Sequence, residues 1–361
     1  MDRRQFQLAL AGLLGGLAPA ARATNVVEFA PVRPGRPLVF PFDHGAHPAF
    51  RTEWWYVTGW LKQPDGSPLG FQTTFFRVRT GLGDANPSAF APRQLIMAHA
   101  AVADPKLGRL RHDQRSARAG FGRAGAAEAQ TRVWVGDWRL EQSPEGYRAV
   151  VQAADFAYAL SLVPPSPPLL NGVDGFSAKA ADPRHASYYY SRPQLAVTGT
   201  VTLSGQQTPV TGRAWLDHEW SSELLPPGAQ GWDWVGLNLD DGSALMAFRM
   251  RGGTNQPLWS AATFSPAKGS ARQLKPEEVV FEPLRRWTSA RTGISYPVEW
   301  TLRIGSRRLH LQALFDDQEL DSRRSTGAVY WEGAVRVLEG DAEIGRGYLE
   351  LTGYGERIRV G

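Results

Sequence analysis

The chain of 361 residues contains no cysteine. That excludes disulfides, thiolate metal sites, a cysteine nucleophile and lipid attachment through an exported cysteine. Lysine is scarce as well: only five of the 40 basic residues are lysine, and the arginines are spread along the chain instead of clustering. With a formal charge of +5 this is compositional bias and not a nucleic-acid footprint, so nucleic acid is not an expected partner. Helical periodicity is nearly absent. There is no G-x-S-x-G elbow and no H-E-x-x-H helix, which removes support for the serine-hydrolase and zincin mechanisms. "GFGRAG" (Gly120 to Gly125) fits G-x-G-x-x-G but lacks the strand and helix that a dinucleotide site requires.

The first residues read as a targeting segment. Arg3 and Arg4 precede Phe6, Leu8 to Leu17 is apolar, and Ala21-Arg22-Ala23 supplies small residues for cleavage. Residues 1–23 are therefore expected to be a twin-arginine signal peptide. Its apolar run is too short and too glycine-rich to span a bilayer, and no later segment approaches spanning length. Cleavage would release a periplasmic chain without a transmembrane segment, and would lower the formal charge to +3 by removing three Arg and one Asp.

What the chain does have is short alternating runs between Gly, Pro, Asn and Asp: Phe71 to Arg79, Val133 to Glu141, Tyr147 to Gln152, Val197 to Leu203, Leu237 to Arg251, Val298 to Ile304 and Leu309 to Phe315. These are strands at hairpin spacing, and with 38 Gly and 26 Pro they make the class all-β. A weak repeat narrows this further. Glu53 to Arg79 parallels Trp232 to Arg251, each an aromatic strand, an Asp-Gly-Ser turn and a return strand ending Phe-Arg-x-Arg. Gly199 to Trp220 parallels Gly333 to Gly353. Each half opens and closes alike, as two antiparallel barrels would if first and last strands must meet to remove sheet edges. The expected division is residues 24–222 and 223–361, with linker composition at Ser221 to Gly231. Val163 to Ser187 is Pro-rich and aperiodic, a candidate lid.

The chemistry concentrates in "WLDHEW", Trp215 to Trp220. Strand alternation puts Leu216, His218 and Trp220 on one face and Trp215, Asp217 and Glu219 on the other. Two readings of His218 stand: a hydrogen-bonded core histidine, or a general acid or base set against aromatic walls, where an apolar pocket also raises a carboxyl pKa. In "RTEWWYVTGW", Glu53 is a further candidate acid, and an aromatic first strand of a barrel is the plainer reading of Trp54, Trp55 and Tyr56. His44 and His47 could ligate a metal, but no third ligand is spaced to complete them. Core readings are favoured for His99 and for the tyrosines of "SYYYSR".

The stretches "EWWYVTGWL", "YYYSR", "GRAWLDHEW", "GWDWVGLNLDDGSALM" and "GRGYLELTGY" together resemble the family of carotenoid 1,2-hydratases (hydroxyneurosporene synthases) and AttH-type lipocalin-like proteins labelled secreted hydrolases. The resemblance implies two lipocalin-like (calycin) barrels in tandem, no cofactor, and a hydrophobic, isoprenoid- or lipid-like ligand. In the hydratase branch it implies protonation of an alkene, a tertiary carbocation and capture of water. His218 and Trp220 match the family's His-x-Trp pair, with Asp217 in the same motif, so His218, Asp217, Glu219 and Glu53 are the candidate catalytic residues. Trp220, Trp54, Trp55, Tyr56, Tyr190 and Trp234 are the candidate ligand contacts. Gly242 to Arg251 lacks the Tyr and Asp expected of the hydratases, and the export signal fits the secreted branch, whose members resemble partners of ABC transport systems. The alternative reading is therefore a non-catalytic carrier or accessory subunit of such a system.

Overall fold

A computed structural model describes residues 27–358, so the expected signal peptide lies outside the described residues. Alternating side chains and frequent turns produce an almost entirely β molecule, with single 3-10 turns at Phe42–His44 and Pro276–Glu278. The described residues form two antiparallel sheets of 13 and 10 strands.

The first sheet begins with a meander of β1 (Thr52–Lys62), β2 (Pro68–Arg79), β3 (Gln94–Ala103) and β4 (Arg111–Arg118). A second meander contains β5 (Ala124–Ala126), β6 (Arg132–Val135), β7 (Trp138–Ser143), β8 (Gly146–Gln152) and β9 (Phe156–Val163). Two long strands, β12 (Ala186–Leu203) and β13 (Gln206–Ser221), join them, and the short β10 (Leu169–Leu170) and β11 (Phe176–Ala178) flank β12. In the second sheet β14 (Ala229–Leu239), β15 (Ala244–Gly252), β16 (Pro257–Ser265) and β17 (Arg272–Leu274) form one side. β18 (Val279–Thr288), β19 (Ser295–Ile304) and β20 (Arg307–Ala313) form the other, and β21 (Glu319–Asp321), β22 (Val329–Glu339) and β23 (Ala342–Leu351) complete it.

First and last long strands do meet: β1 pairs with β13, and β14 with β23. The hydrogen-bonded paths nevertheless stay open, ending on β4 and β5 in one sheet and on β17 and β18 in the other. The first sheet curls until β4 and β6 approach each other across an unpaired seam. This is a lipocalin-like arrangement in which curvature, more than complete pairing, encloses the core.

Local chemistry explains the matched hairpins. In each, an Asp side chain accepts the backbone N–H of the Ser two residues on, at 2.9 Å for Asp65–Ser67 and 2.8 Å for Asp241–Ser243. The Gly between them takes a positive φ, +84° at Gly66 and +88° at Gly242. The run from Val133 to Glu141 is not one strand, because Gly136 turns the chain at φ +62° and separates β6 from β7.

Four apolar cores result, the smallest made of Ala101, Ala103, Leu110, Leu320 and Tyr330 from both sheets. One fills the first sheet, including Trp55, Val57, Phe71, Leu216 and Trp220, and a second fills the other sheet around Trp300 and Trp331. The third, with Tyr56, Trp60, Tyr189, Trp215, Trp234 and Tyr348, lies between the sheets. Strands β1 and β14 and the Ala214–Ser221 end of β13 are consequently buried on both faces, which is why tryptophans occur there on either side of the strand.

Candidate functional site

Alternation along β13 sends its ionisable residues to two different places. His218 turns into the first sheet's interior with Trp220, whereas Asp217 and Glu219 face the space between the sheets.

Inside the first sheet, Glu53 on β1 is the hub of a buried polar cluster. Its Oε1 accepts from His47 Nδ1 at 2.7 Å and from His218 Nε2 at 2.8 Å, while Oε2 accepts from Arg77 Nε at 2.6 Å and the His47 backbone N–H at 2.9 Å. His47 also reaches Asp43 through Nε2 at 2.9 Å, and Asp43 pairs with Arg36 at 2.9 Å. Burial would raise the Glu53 carboxyl, yet Arg77 and the two histidines hold it well below its usual range. Burial pushes His47 down, but the Asp43 and Glu53 carboxylates overcome it and keep its pKa raised. His218 goes the other way, lowered by burial with Glu53 only partly offsetting. A neutral His218 beside a carboxylate donates through Nε2, so its Nδ1 accepts the Tyr190 hydroxyl at 3.1 Å. The Tyr190 oxygen then accepts from His44 Nδ1 at 3.0 Å. Trp220 stacks on His47 at 3.7 Å between ring centroids and Trp55 on His218 at 4.7 Å. Eight side chains are thereby joined in one hydrogen-bonded network.

The same cluster answers the question of a metal. Two of its histidines and one carboxylate, His47, Glu53 and His218, offer ligand atoms within 4.8 Å of one another, and Asp43 and Tyr190 hold the outer nitrogens as supporting partners would. These three residues could hold a divalent ion. His44, the expected companion of His47, binds Tyr190 instead. In the described arrangement the trio meets at hydrogen-bond distances, and Arg77 lies against the carboxylate a metal would need.

Between the sheets lies a cavity of about 400 Å³, a volume suited to a small apolar ligand. Trp54, Tyr56 and Trp234 line it, joined by Phe76, Trp232 and Phe248. Asp217 sits in its wall and accepts from the Tyr189 and Ser191 hydroxyls and the Trp215 indole at 2.7, 2.5 and 2.6 Å. Burial outweighs these bonds and lifts its pKa to about 7. Glu219 pairs with Lys179 at 2.7 Å, and the ammonium lies 4.3 Å from the centre of the Phe248 ring.

Two carboxylates that sequence reasoning missed complete the wall. Glu332 on β22 stands directly opposite Glu350 on β23. Glu332 Oε1 makes no hydrogen bond, nor does the Tyr56 hydroxyl beside it. Burial lifts Glu350 to about 8, with the Trp232 indole opposing and Asp217 and Glu219 adding to the rise. Burial, then the Glu350 charge, holds Glu332 well above its ordinary value. A signal for Glu350 was present: aligning Gly-Arg-Ala-Trp-Leu-Asp with Gly-Arg-Gly-Tyr-Leu-Glu places it at the position of Asp217. Lys179 lies in the Pro-rich segment read as a lid, Tyr189 was read only as a core tyrosine of "SYYYSR", and nothing in the sequence marked Glu332 or Arg77 as site residues.

The candidates thus divide. Glu53, His218, Trp55, Trp220 and Tyr190 build the interior cluster, with Glu53 also reaching the cavity wall; Asp217, Glu219, Trp54, Tyr56 and Trp234 build the cavity. His99, read as core, is fully buried between Tyr330 at 2.7 Å and Ser325 at 2.8 Å.

Curled antiparallel sheets carrying buried acids in an aromatic cavity define a lipocalin-like protein of duplicated design. The chain belongs to the AttH-like family, whose profile matches residues 31–354. It is similar to the solved structure of an AttH from Nitrosomonas europaea, 50% identical with a TM-score of 0.85 over 90% of this chain and all of that one. It also shares its fold with kievitone hydratase from Nectria haematococca, 14% identical with a TM-score of 0.68 over 90% of this chain and 95% of that one. No curated protein matched the sequence. Among the described residues no helix is long and apolar enough to cross a membrane.

Proposed function

We propose that the protein holds a hydrophobic, isoprenoid- or lipid-like ligand in the cavity between its sheets and adds water to a C=C bond there by acid–base chemistry. The observation that carries this is the pair Glu332 and Glu350, facing each other in an aromatic wall with an unbonded oxygen. Burial and mutual repulsion raise both carboxyls, Glu332 well above its ordinary value and Glu350 to about 8, so Glu350 keeps its proton at neutral pH. In this reading Glu350 gives that proton to an alkene carbon. The cation left on the other carbon lies against the Trp234 and Trp54 faces, each worth about 0.5 to 2 kcal/mol. Water adds its oxygen to that carbon and returns a proton to the carboxylate, so the acid is regenerated. His218 supports β13 from behind in this scheme. With the twin-arginine leader, the reaction would take place in the periplasm.

The test is deuterium incorporation from D₂O into an isoprenoid with a terminal trisubstituted alkene. Glu350→Gln is expected to lower the rate about 100-fold, and wild-type rates should fall as pH rises through about 8, where the acid loses its proton. Organic extraction of protein from its native host should recover an apolar ligand. A recovered ligand without deuterium incorporation would favour a non-catalytic carrier, such as a subunit serving an ABC transport system; empty protein that also lacks turnover would refute both readings.

A further inference from the structure

A second concavity, of about 420 Å³, lies on the other side of Ser325, a residue that lines both spaces. Its walls bring together guanidinium groups from three separate elements: Arg115 on β4, Arg123 in the turn before β5, and Arg324 in the loop between β21 and β22 of the other sheet. Arg115 is fixed in place by Asp137 and by the Gln152 carbonyl at 2.8 Å. Gly136 makes this approach feasible, since a Cβ there would stand 2.9 Å from Arg115 Nη1 on a backbone with φ +62°. Among the described residues Arg123 and Arg324 form no ion pair, so three cations face one carboxylate. The site sits where the first sheet leaves its ladder open between β4 and β6.

The partition between the spaces is thin and polar. Ser325 Oγ donates to Gln114 Oε1 at 2.7 Å and lies 2.8 Å from His99 Nε2, which therefore donates to it. One side is largely aromatic and apolar, and the other is cationic. That is the profile of an amphiphile, and guanidinium groups suit phosphate and carboxylate oxygens.

We infer that the arginine groove binds the anionic head, phosphate or carboxylate, of an amphiphile whose apolar tail passes the half-buried Ser325, displacing its hydroxyl from Gln114 and His99, into the cavity between the sheets. This rests on the reading of that cavity as a hydrophobic site and names its ligand class. The head binds by charge-assisted hydrogen bonds from Arg123 and Arg324, with Arg115 held ready by Asp137; the tail gains by leaving water.

The experiment titrates the intact protein with monomeric dodecyl phosphate, laurate and dodecanol, following tryptophan fluorescence. Wild type should prefer dodecyl phosphate or laurate over dodecanol by about tenfold or more, and whichever anion leads identifies the head. In the Arg123→Gln/Arg324→Gln double variant, at exposed positions that should not disturb folding, the preference should fall to near parity while dodecanol affinity stays unchanged. Dodecanol binding with no anion preference, or a preference that survives the double substitution, would overturn the inference and leave the cavity reading standing. Failure of all three probes would overturn both.

Discussion

At the scale of single residues, the buried Glu53 cluster is where the largest stability effect belongs. Glu53→Gln keeps the shape but removes the charge that Arg77 and His47 are buried against, and breaking such a pair costs about 3 to 5 kcal/mol. Urea unfolding at pH 7 should show this loss. The pH dependence has a definite sign. Glu53 is depressed in the fold, so its contribution is present above its unfolded value of 4.5 and is lost as pH falls below that. His47 is raised, so its contribution is complete below its unfolded value of 6.5 and is lost as pH rises through its folded value. The cluster should therefore stabilise most between about 4.5 and 6.5, and the gap between wild type and variant should shrink on the acid side. A gap that stays constant down to pH 3 would show that the carboxylate is not the hub. Glu350 behaves oppositely: raised to about 8, it weakens the fold as pH climbs from its unfolded value towards 8.

At the scale of elements, the strands and matched hairpins were legible because period-two alternation and Asp-Gly-Ser turns are local. The facing of β13 was legible too, since a strand has only two sides. What lies beyond local information is which side meets what. Asp217 and Glu219 read as the polar side of a strand, but β1 and the last residues of β13 pack against β23 and β14 of the second sheet, so that side became a cavity wall. His47, Arg77 and Tyr190 join His218 only through pairings up to 169 residues apart, as Thr52 with Ser221. The Pro-rich segment behaves as an element as well. Its β10 and β11 lie along β12, and Lys179 anchors it by reaching Glu219 across 2.7 Å. Lys179→Met removes that anchor while keeping the side chain's bulk over Phe248. Hydrogen exchange should then show Phe176–Ala178 losing about tenfold or more of its protection, while β7 and β8 keep theirs. Equal protection in variant and wild type would show that strand pairing alone holds the segment.

At the scale of the molecule, the core between the sheets couples two halves that would otherwise be separate units. Its large aromatic residues each bury roughly 150 to 250 Å², which at about 25 cal/mol per Å² is some 4 to 6 kcal/mol of gross stabilisation apiece. Hydrogen bonds cross it as well, from Trp60 Nε1 to the Gly347 carbonyl at 2.9 Å and from Asn238 Nδ2 to the Ala214 carbonyl at 3.1 Å. An interface of this kind makes neither sheet stable with its partner unfolded, so tryptophan fluorescence and far-ultraviolet circular dichroism should trace one coincident transition. Trp234 tests the coupling because it belongs to both the interface and the cavity, donating its indole N–H to Tyr189 at 3.0 Å and standing opposite Glu350 on β23. Trp234→Ala should cost about 3 to 5 kcal/mol and also weaken apolar ligand binding. If the sheets were independent, the same substitution would split the transition in two, the second sheet melting early while the first kept its midpoint. A single transition shifted as a whole is the outcome expected when the ligand wall is also the joint.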